Sequence, residues 1–270
     1  MISTLLRRFV LSFLFLCTVA SANYFDDNYC LTKPTRWITN LASDTANLFI
    51  NFVDLDTVKT FIFTFPLYAA GQAFDERLHH CFYDMHHHKN INKCPSIARK
   101  WADTWAIRTV AAVNAGFLFL SKNERLRQTS KMFLIGLPFL VLTTHAFKHV
   151  CYGEFCLRPL HDKFCPDHIR KRGGFPSTHA GDFAFATTLF ALQFGPRAAV
   201  PLGLVGGAVL CSFVNDNRHY LSQIIAGAGL GVVFAFAADK VVNKNLARDL
   251  NMHIDVTPQG SPALALSWKF

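Results

Sequence analysis

The sequence is poor in charge: 17% of its 270 residues are Asp, Glu, Lys or Arg, against about 25% in an ordinary soluble domain. Proline and glycine are not enriched and no period repeats, which excludes collagen-like and solenoid folds. With 51% hydrophobic residues the chain is too apolar to be disordered and too long for a disulfide miniprotein. The composition allows one large domain or a small helical membrane protein.

The charge balance is basic, with 27 Lys and Arg against 18 Asp and Glu and a formal net charge of +9. Such a balance indicates a negatively charged partner: nucleic acid, anionic lipid or a phosphorylated small molecule. Nucleic acid is disfavoured as a partner because its phosphate backbone is bound by many Lys and Arg on one face, whereas the charge density of this chain is low. Anionic lipid of a bilayer and a phosphorylated small molecule stay open as partners, and the sequence indicates no obligate protein partner.

Residues 1–22 have the pattern of an export signal. Arg7 and Arg8 precede an apolar run, and Ala20-Ser21-Ala22 provides a small-x-small cleavage site. The alternative is an uncleaved first membrane helix. In both cases the residues that follow face an oxidising compartment.

Cysteines support that compartment. Six lie in polar stretches beyond the signal, an even number that predicts disulfides, whereas Cys211 lies in an apolar run. Six cysteines allow 15 pairings, so the connectivity stays open. Local pairing favours Cys81 with Cys94 and one bond within the group of three that follows. The six are Cys30, Cys81, Cys94, Cys151, Cys156 and Cys165.

Apolar segments indicate an all-α bundle, a polytopic membrane protein with five or six apolar helices. Five segments follow residue 100, and only the last two reach the ~18 residues of a clear membrane helix. The others also fit buried core helices. Earlier, residues 23–44 suggest an irregular or amphipathic entry, and the interrupted stretch 48–74 a re-entrant or peripheral segment. The five segments are 101–120, 132–147, 183–194, 198–215 and 219–238.

The loops between these segments differ in charge. If the segments alternate, eight basic residues share one side, which the positive-inside rule places in the cytoplasm. The loop 148–182 and the turn 215–219 then lie outside. We expect a bacterial inner-membrane protein with a site facing the periplasm. The basic residues are Lys122, Arg125, Arg127, Lys131, Arg197, Lys240, Lys244 and Arg248.

The two outside segments carry the candidate chemistry. His179 and His219 each stand at the start of an apolar segment, and Lys148 and Arg158 supply fixed positive charge. One imidazole can attack phosphorus while the other protonates the leaving oxygen. The cations and the N–H groups of a helix start then stabilise the phosphoryl oxygens. The sequence contains no carboxylate cluster for a metal, so we expect no metal and no cofactor.

These motifs, Lys148…Arg158-Pro159, Pro176-Ser177-Thr178-His179 and Arg218-His219 with Ile-Ala-Gly downstream, resemble the type 2 phosphatidic acid phosphatase (PAP2) superfamily, which is related to vanadium haloperoxidases. The resemblance covers about residues 101–239. It implies that His219 is the nucleophile and His179 the general acid. It also implies that Lys148, Arg158, Ser177 and the Thr178 backbone bind phosphate.

The sequence departs from the family pattern at four points. Nine residues instead of six separate Lys148 from Arg158, and Thr178 replaces a glycine. Phe213 stands where the third motif has a phosphate-binding Arg, and Arg218 is the nearest candidate to replace it. Gln223 replaces the Asp that orients the nucleophile; its amide oxygen can fix the imidazole tautomer but cannot stabilise an imidazolium by charge.

Three hypotheses follow for function. The first is a metal-independent phosphatase acting on a lipid phosphate or diphosphate. The second is a catalytically impaired relative that binds phosphorylated lipid, and the third is a soluble exported acid phosphatase.

The remaining features are interpreted more simply. The five histidines between residues 79 and 88 are read as solvated loop residues rather than a metal site. The domain division is 1–22 signal, 23–100 N-terminal region, 101–240 phosphatase core and 241–270 tail. Residues 263–270 alternate like a closing barrel strand, or form a short pairing strand.

Overall fold

A computed structural model describes residues 33–91, 101, 105–161, 171–256 and 262–268, with side chains described within residues 40–247. This part of the chain is almost entirely helical, which confirms the all-α prediction. Its helices are α1 (Lys33–Ile50), α2 (Leu55–Phe82), α3 (Ala106–Leu120), α4 (Glu124–Val150), α5 (Thr178–Phe194), α6 (Pro196–Asn215) and α7 (Leu221–Asp249).

A 3₁₀ turn (Glu154–Cys156) and two short antiparallel hairpins complete the described elements. One pairs β1 (Tyr83–Asp84) with β2 (Lys89–Asn90) directly after α2. The other pairs β3 (Leu250–Val256) with β4 (Pro262–Trp268), with Leu250 opposite Trp268. The C-terminal residues therefore form a local pairing strand, one of the two alternatives that their alternation allowed.

Local sequence signals explain several helix boundaries. The Asn123 side chain accepts the Leu126 N–H at 3.1 Å and caps α4. Gly195, with φ of 84°, ends α5, and Pro196 opens α6 at once. A positive φ suits glycine, and proline suits a first helical turn where no N–H is needed. The helical hairpin α5–α6 therefore turns on a single residue.

Helix α7 is the centre of the bundle and packs against α1, α2, α4 and α5. Around it, Phe133, Phe185, Phe234 and Val241 form a buried apolar core. Burying each large apolar side chain contributes roughly 1.5–3 kcal/mol. The core therefore lies between α4, α5 and α7, and it holds these three helices side by side.

The contact between α5 and α7 is close because it is made by glycines. A Cβ on Gly227 would collide with the Ser177 carbonyl, and one on Gly231 with the Gly181 carbonyl. Small residues let two helix backbones approach to this distance. The contact brings the start of α5 next to the first turns of α7.

Among the described residues, three helices are long and apolar enough to cross a membrane: α4, α6 and the first 27 residues of α7. The prediction of five or six apolar helices also counted shorter segments. Helix α3 is apolar but has 15 residues, and α5 has 17 residues, of which more than half are buried. Helix α5 is thus a core helix inside the bundle, the alternative that the sequence left open for the shorter segments.

The N-terminal helices and the end of α7 bear on other expectations. Helix α1 begins at Lys33, within residues 23–44, where an irregular or amphipathic segment was expected. Helix α2 is a continuous helix of 28 residues that packs on α7, although Phe61, Phe63 and Phe65 along it are exposed. Helix α7 continues to Asp249, well beyond the expected end at residue 238. The export signal lies outside the described residues.

Candidate active site

The site lies where α4 and α6 end and α5 and α7 begin. Because the helices run antiparallel, this arrangement brings together Lys148 in the last turn of α4, Ser177 at the start of α5 and the turn before α7. Lys148 Nζ donates to Thr178 Oγ1 at 2.8 Å, and Thr178 Oγ1 is 3.0 Å from Thr144 Oγ1. The Thr178 side chain therefore positions Lys148 by a hydrogen bond. The backbone N–H of Thr178 stays available to bind an anion.

Ser177 is positioned to donate into the same space. It is completely buried, and its hydroxyl has no hydrogen-bond partner among the described residues. Its backbone N–H donates to the Gln223 carbonyl at 3.0 Å, which ties the start of α5 to α7. The first N–H groups of α5 have no acceptor within their own helix. A hydroxyl and a helix start of this kind form an anion-binding cradle.

The His219 ring is oriented by Gln223. Gln223 Nε2 lies 3.2 Å from the Phe155 carbonyl and 2.6 Å from the Leu157 carbonyl. Carbonyl oxygens only accept, so this end of the amide is the NH₂ group and the oxygen faces the opposite way. Gln223 Oε1 is 3.3 Å from His219 Nδ1. The tautomer with a proton on Nδ1 follows, and Nε2 keeps its lone pair.

The closeness of Gln223 to the preceding loop requires glycine at position 174. A Cβ there would lie 2.5 Å from Gln223 Nε2, closer than any normal contact. The Gly173 and Gly174 N–H groups both donate to the Cys156 carbonyl at 3.1 Å. The residues before the Pro-Ser-Thr-His motif therefore pack directly onto the side chain that orients His219.

Electrostatics keep His219 neutral. The residue is buried in the turn between α6 and α7. Burial lowers the pKa of His219 well below its ordinary value, and the nearby Arg158 and Lys148 cations lower it further. A neutral imidazole with a free Nε2 is the form that can attack phosphorus.

Arg158 is carried by a loop that a disulfide closes. Cys151 and Cys156 are bonded, which is the local pair expected within that group of cysteines. The Arg158 N–H donates to the Lys171 carbonyl at 2.8 Å, and its guanidinium contacts the Gly173 carbonyl at 3.3 Å. The nine-residue spacing after Lys148 thus forms a closed loop that returns Arg158 to the site.

Phe213 lies between the two histidines. Its ring centroid is 4.7 Å from that of His179 and 6.2 Å from that of His219. The Arg218 guanidinium is 5.7 Å from the same ring, and its Nε donates to Asp216 Oδ2 at 2.7 Å. An apolar ring therefore occupies the space between the two imidazoles, and the nearest arginine is held by a carboxylate.

Asp216 is stabilised as an anion. Burial by itself would raise its pKa, but the His161 imidazole 3.9 Å away and the hydrogen-bonded guanidinium of Arg218 outweigh burial and hold the pKa of Asp216 below its ordinary value. The next residue, Asn217, has a φ of 51°, a left-handed conformation that Asn tolerates. These residues shape the tight turn that carries His219.

Sequence reasoning missed the contribution of α2 and of the hairpin after it. His79 is buried, not solvated as expected, and its Nδ1 lies 2.9 Å from Asn217 Oδ1. The Asn217 side-chain amide donates to the Phe82 carbonyl at 2.8 Å. No local pattern predicts these contacts, because 138 residues separate His79 from Asn217.

The other histidines of this stretch and the first cysteine pair have simpler outcomes. His80 and the three histidines at 86–88 are exposed, as expected. Cys81 is an exposed, free thiol in the last turn of α2, which argues against the predicted Cys81–Cys94 bond. Cys30, Cys94 and Cys165 lie outside the described residues. Within the described ranges no three His, Cys, Asp or Glu side chains are grouped to hold a metal ion.

The described residues thus bring His179, His219 and the cations Lys148 and Arg158 to one end of the helical bundle. Residues 132–247 match the family model described as the PAP2 superfamily, so this region of the chain is similar to that superfamily. The matched region begins within α4, ends in the last turns of α7 and contains every site residue named from the motifs. No curated protein and no solved structure matches the chain.

Proposed function

We propose that this protein is a metal-independent phosphatase that hydrolyses the phosphomonoester or diphosphate of a membrane lipid through a phosphohistidine on His219. The match of residues 132–247 to the PAP2 superfamily supports phosphatase-type chemistry in general. The observation that carries the proposal is the fixed amide of Gln223, which leaves His219 Nε2 unprotonated in a buried, cationic pocket.

Two steps account for the reaction. In the first, His219 Nε2 forms a bond to phosphorus while the bond from phosphorus to the leaving oxygen breaks. His179 gives that oxygen its proton. In the second, His179 takes a proton from water, the resulting hydroxyl attacks phosphorus and the P–N bond breaks. Hydrolysis thereby returns both histidines to their starting state.

The phosphoryl oxygens need donors that are in place before the reaction. Lys148 and Arg158 supply two positive charges, which match the two negative charges of a phosphomonoester. Ser177 supplies a buried hydroxyl, and the start of α5 supplies backbone N–H groups. Donors that need not reorganise stabilise the developing charge most effectively.

Three apolar helices support membrane association and a lipid substrate. The site lies at one end of the bundle, and the basic residues of the 121–131 loop, Arg197 and the end of α7 belong to the other. By the positive-inside rule the site faces away from the cytoplasm. The Cys151–Cys156 bond at the site end fits an oxidising compartment. We place the protein in a bacterial inner membrane with its site towards the periplasm.

The experiment is phosphate release from a panel of lipid phosphates and diphosphates by detergent-solubilised protein in the presence of a chelator. His219→Ala should lower turnover by several orders of magnitude. His145→Ala is the matched control, because His145 is exposed on α4 and contacts a carbonyl of its own helix. Turnover that persists in His219→Ala contradicts the nucleophile assignment, and turnover that the chelator abolishes contradicts metal independence.

Phe213 favours a second candidate function, the binding of phosphorylated lipid without turnover. Its ring fills the place between His179 and His219 where the family pattern has an arginine. Losing a bidentate clamp weakens transition-state stabilisation by up to a few kcal/mol. Retention on vesicles that contain phosphatidic acid, without phosphate release from any substrate in the panel, would favour this function. Activity and extraction without detergent would instead favour a soluble exported acid phosphatase.

A further inference from the structure

Helix α7 begins without a capping side chain of its own. Gln223, in its first turn, accepts the Tyr220 N–H with Oε1 at 3.2 Å. This contact is one half of a capping box, in which a Gln or Glu of the first turn reaches back to the residue before the helix. The other half requires a short polar side chain at position 220 that accepts an N–H of the first helical turn. The residue there is Tyr220, whose side chain cannot make that contact.

A carboxylate from α2 supplies the missing acceptor. Asp75 Oδ1 accepts the Ser222 N–H at 3.0 Å, and Asp75 Oδ2 accepts the Ser222 hydroxyl. Asp75 is buried, although 147 residues separate it from Ser222. Burial raises the pKa of Asp75, and the hydrogen bonds from Ser222 oppose that rise.

Close packing holds the carboxylate in place. A Cβ on Gly71, one turn before Asp75, would lie 3.1 Å from Ser222 Cα, so the two helices touch along their backbones. One residue after Asp75, Glu76 accepts the Tyr220 hydroxyl at 3.2 Å. Helix α2 therefore contacts both the residue before α7, Tyr220, and a residue in its first turn, Ser222.

We propose that Asp75 is a positioning residue for phosphoryl transfer at His219, acting as the cap of α7 from a different helix. The inference rests on the proposed function. The chain of contacts leads from Asp75 to Ser222 in the first turn of α7. From that turn the Gln223 side chain reaches His219 Nδ1. Asp75 lies before residues 132–247, the region that matches the family model. The role therefore belongs to an element that the match does not include.

The same turn also carries the second half of the site. The Gln223 carbonyl accepts the Ser177 N–H at 3.0 Å, so a shift of this turn moves the anion cradle together with the nucleophile. A displacement of about 1 Å can cost a reaction about 100-fold in rate. Substrate binding depends mainly on Lys148 and Arg158, which α2 does not hold. Loss of the cap should therefore affect kcat more than KM.

The test compares Asp75→Ala and Asp75→Asn with Asp56→Asn. Asp56 is the matched control because it lies in the first turn of the same helix and pairs with Lys59 and Lys240, far from the site. We expect Asp75→Ala to lower kcat about 10-fold to 100-fold with KM changed by less than about threefold. Asp75→Asn should retain more activity, since its amide oxygen still accepts an N–H. Asp56→Asn should keep the wild-type kcat.

Inhibition by vanadate and phosphate separates positioning from loss of structure. Vanadate mimics the five-coordinate transition state, so its inhibition constant should rise by the factor by which kcat/KM falls, while that of phosphate stays within about twofold. A kcat within twofold of wild type in Asp75→Ala overturns the proposal. So does a parallel loss of phosphate binding, which would show that the site as a whole has unfolded.

Amide hydrogen exchange tests the cap independently of activity. In Asp75→Ala the Ser222 amide should exchange at least about tenfold faster, because its acceptor is gone. Asp56→Asn should leave this exchange unchanged. If the wild-type protein releases no phosphate but this exchange difference is present, the proposed function fails while the cap remains. Unchanged exchange in Asp75→Ala overturns the cap itself.

Discussion

Gln223→Glu is the sharpest perturbation of the site, because it changes one NH₂ group into an oxygen and little else. In the wild type the amide donates to the Phe155 and Leu157 carbonyls and presents its oxygen to His219 Nδ1. A carboxylate cannot donate, so both carbonyls would face an anion. At the same time the imidazole would gain a negatively charged neighbour.

The substitution has two separate consequences. A buried polar group left without its partner costs about 1–3 kcal/mol, so two such carbonyls should lower the free energy of unfolding by about 2–6 kcal/mol. An opposite charge beside His219 should raise its pKa by about 1–3 units. The acid limb of kcat/KM then moves to higher pH, since a protonated imidazole cannot attack phosphorus. The variant should be both less stable and less active at acidic pH.

Thermal unfolding in detergent and pH–rate profiles measure these effects. Gln72→Glu is the matched control, because Gln72 is exposed on α2. A carboxylate at this position can still form a hydrogen bond with the Tyr68 hydroxyl. The control should keep the wild-type unfolding temperature and pH profile. If Gln223→Glu is as stable as the wild type and its acid limb does not move, the assigned orientation of the Gln223 amide is wrong.

Three further predictions concern the same bundle end. In the wild type, the lowered pKa of His219 should place the acid limb of kcat/KM below about pH 6.5, the ordinary value for histidine; a limb above that value contradicts a desolvated nucleophile. Gly227→Ala, whose Cβ would meet the Ser177 carbonyl, should destabilise the fold by about 1–3 kcal/mol or more and reduce activity. Gly207→Ala, with open space around its Cβ, should raise the free energy of unfolding by up to about 1 kcal/mol in the same unfolding assay. Equal effects of Gly227→Ala and Gly207→Ala on stability would contradict the close α5–α7 contact. Phe213→Arg should raise kcat/KM about tenfold by restoring an arginine that binds the phosphoryl group. Arg218→Ala should lower kcat/KM if Arg218 has replaced that arginine. Unchanged kcat/KM in both variants would favour binding without turnover.

Sequence alone was sufficient for the parts of the site that depend on neighbours along the chain. Pro176-Ser177-Thr178-His179 opens α5 as expected, and His219 stands just before α7. The contact of Gln223 with His219 was also predicted, because the family pattern has an orienting residue at position 223. The same holds for the apolar character of α4, α6 and α7, because it is a property of each segment by itself.

Only the tertiary structure decided which way the Gln223 amide points, since its two acceptor carbonyls come from a loop 66 and 68 residues earlier. It also decided that α5 is a core helix and that His79 is buried. Asp75 and Ser222 are likewise joined by helix packing rather than by any local period. Periodicity reports on the faces of one helix, whereas these contacts depend on which helices lie side by side, and the close glycine contacts of α7 with α2 and α5 set that arrangement.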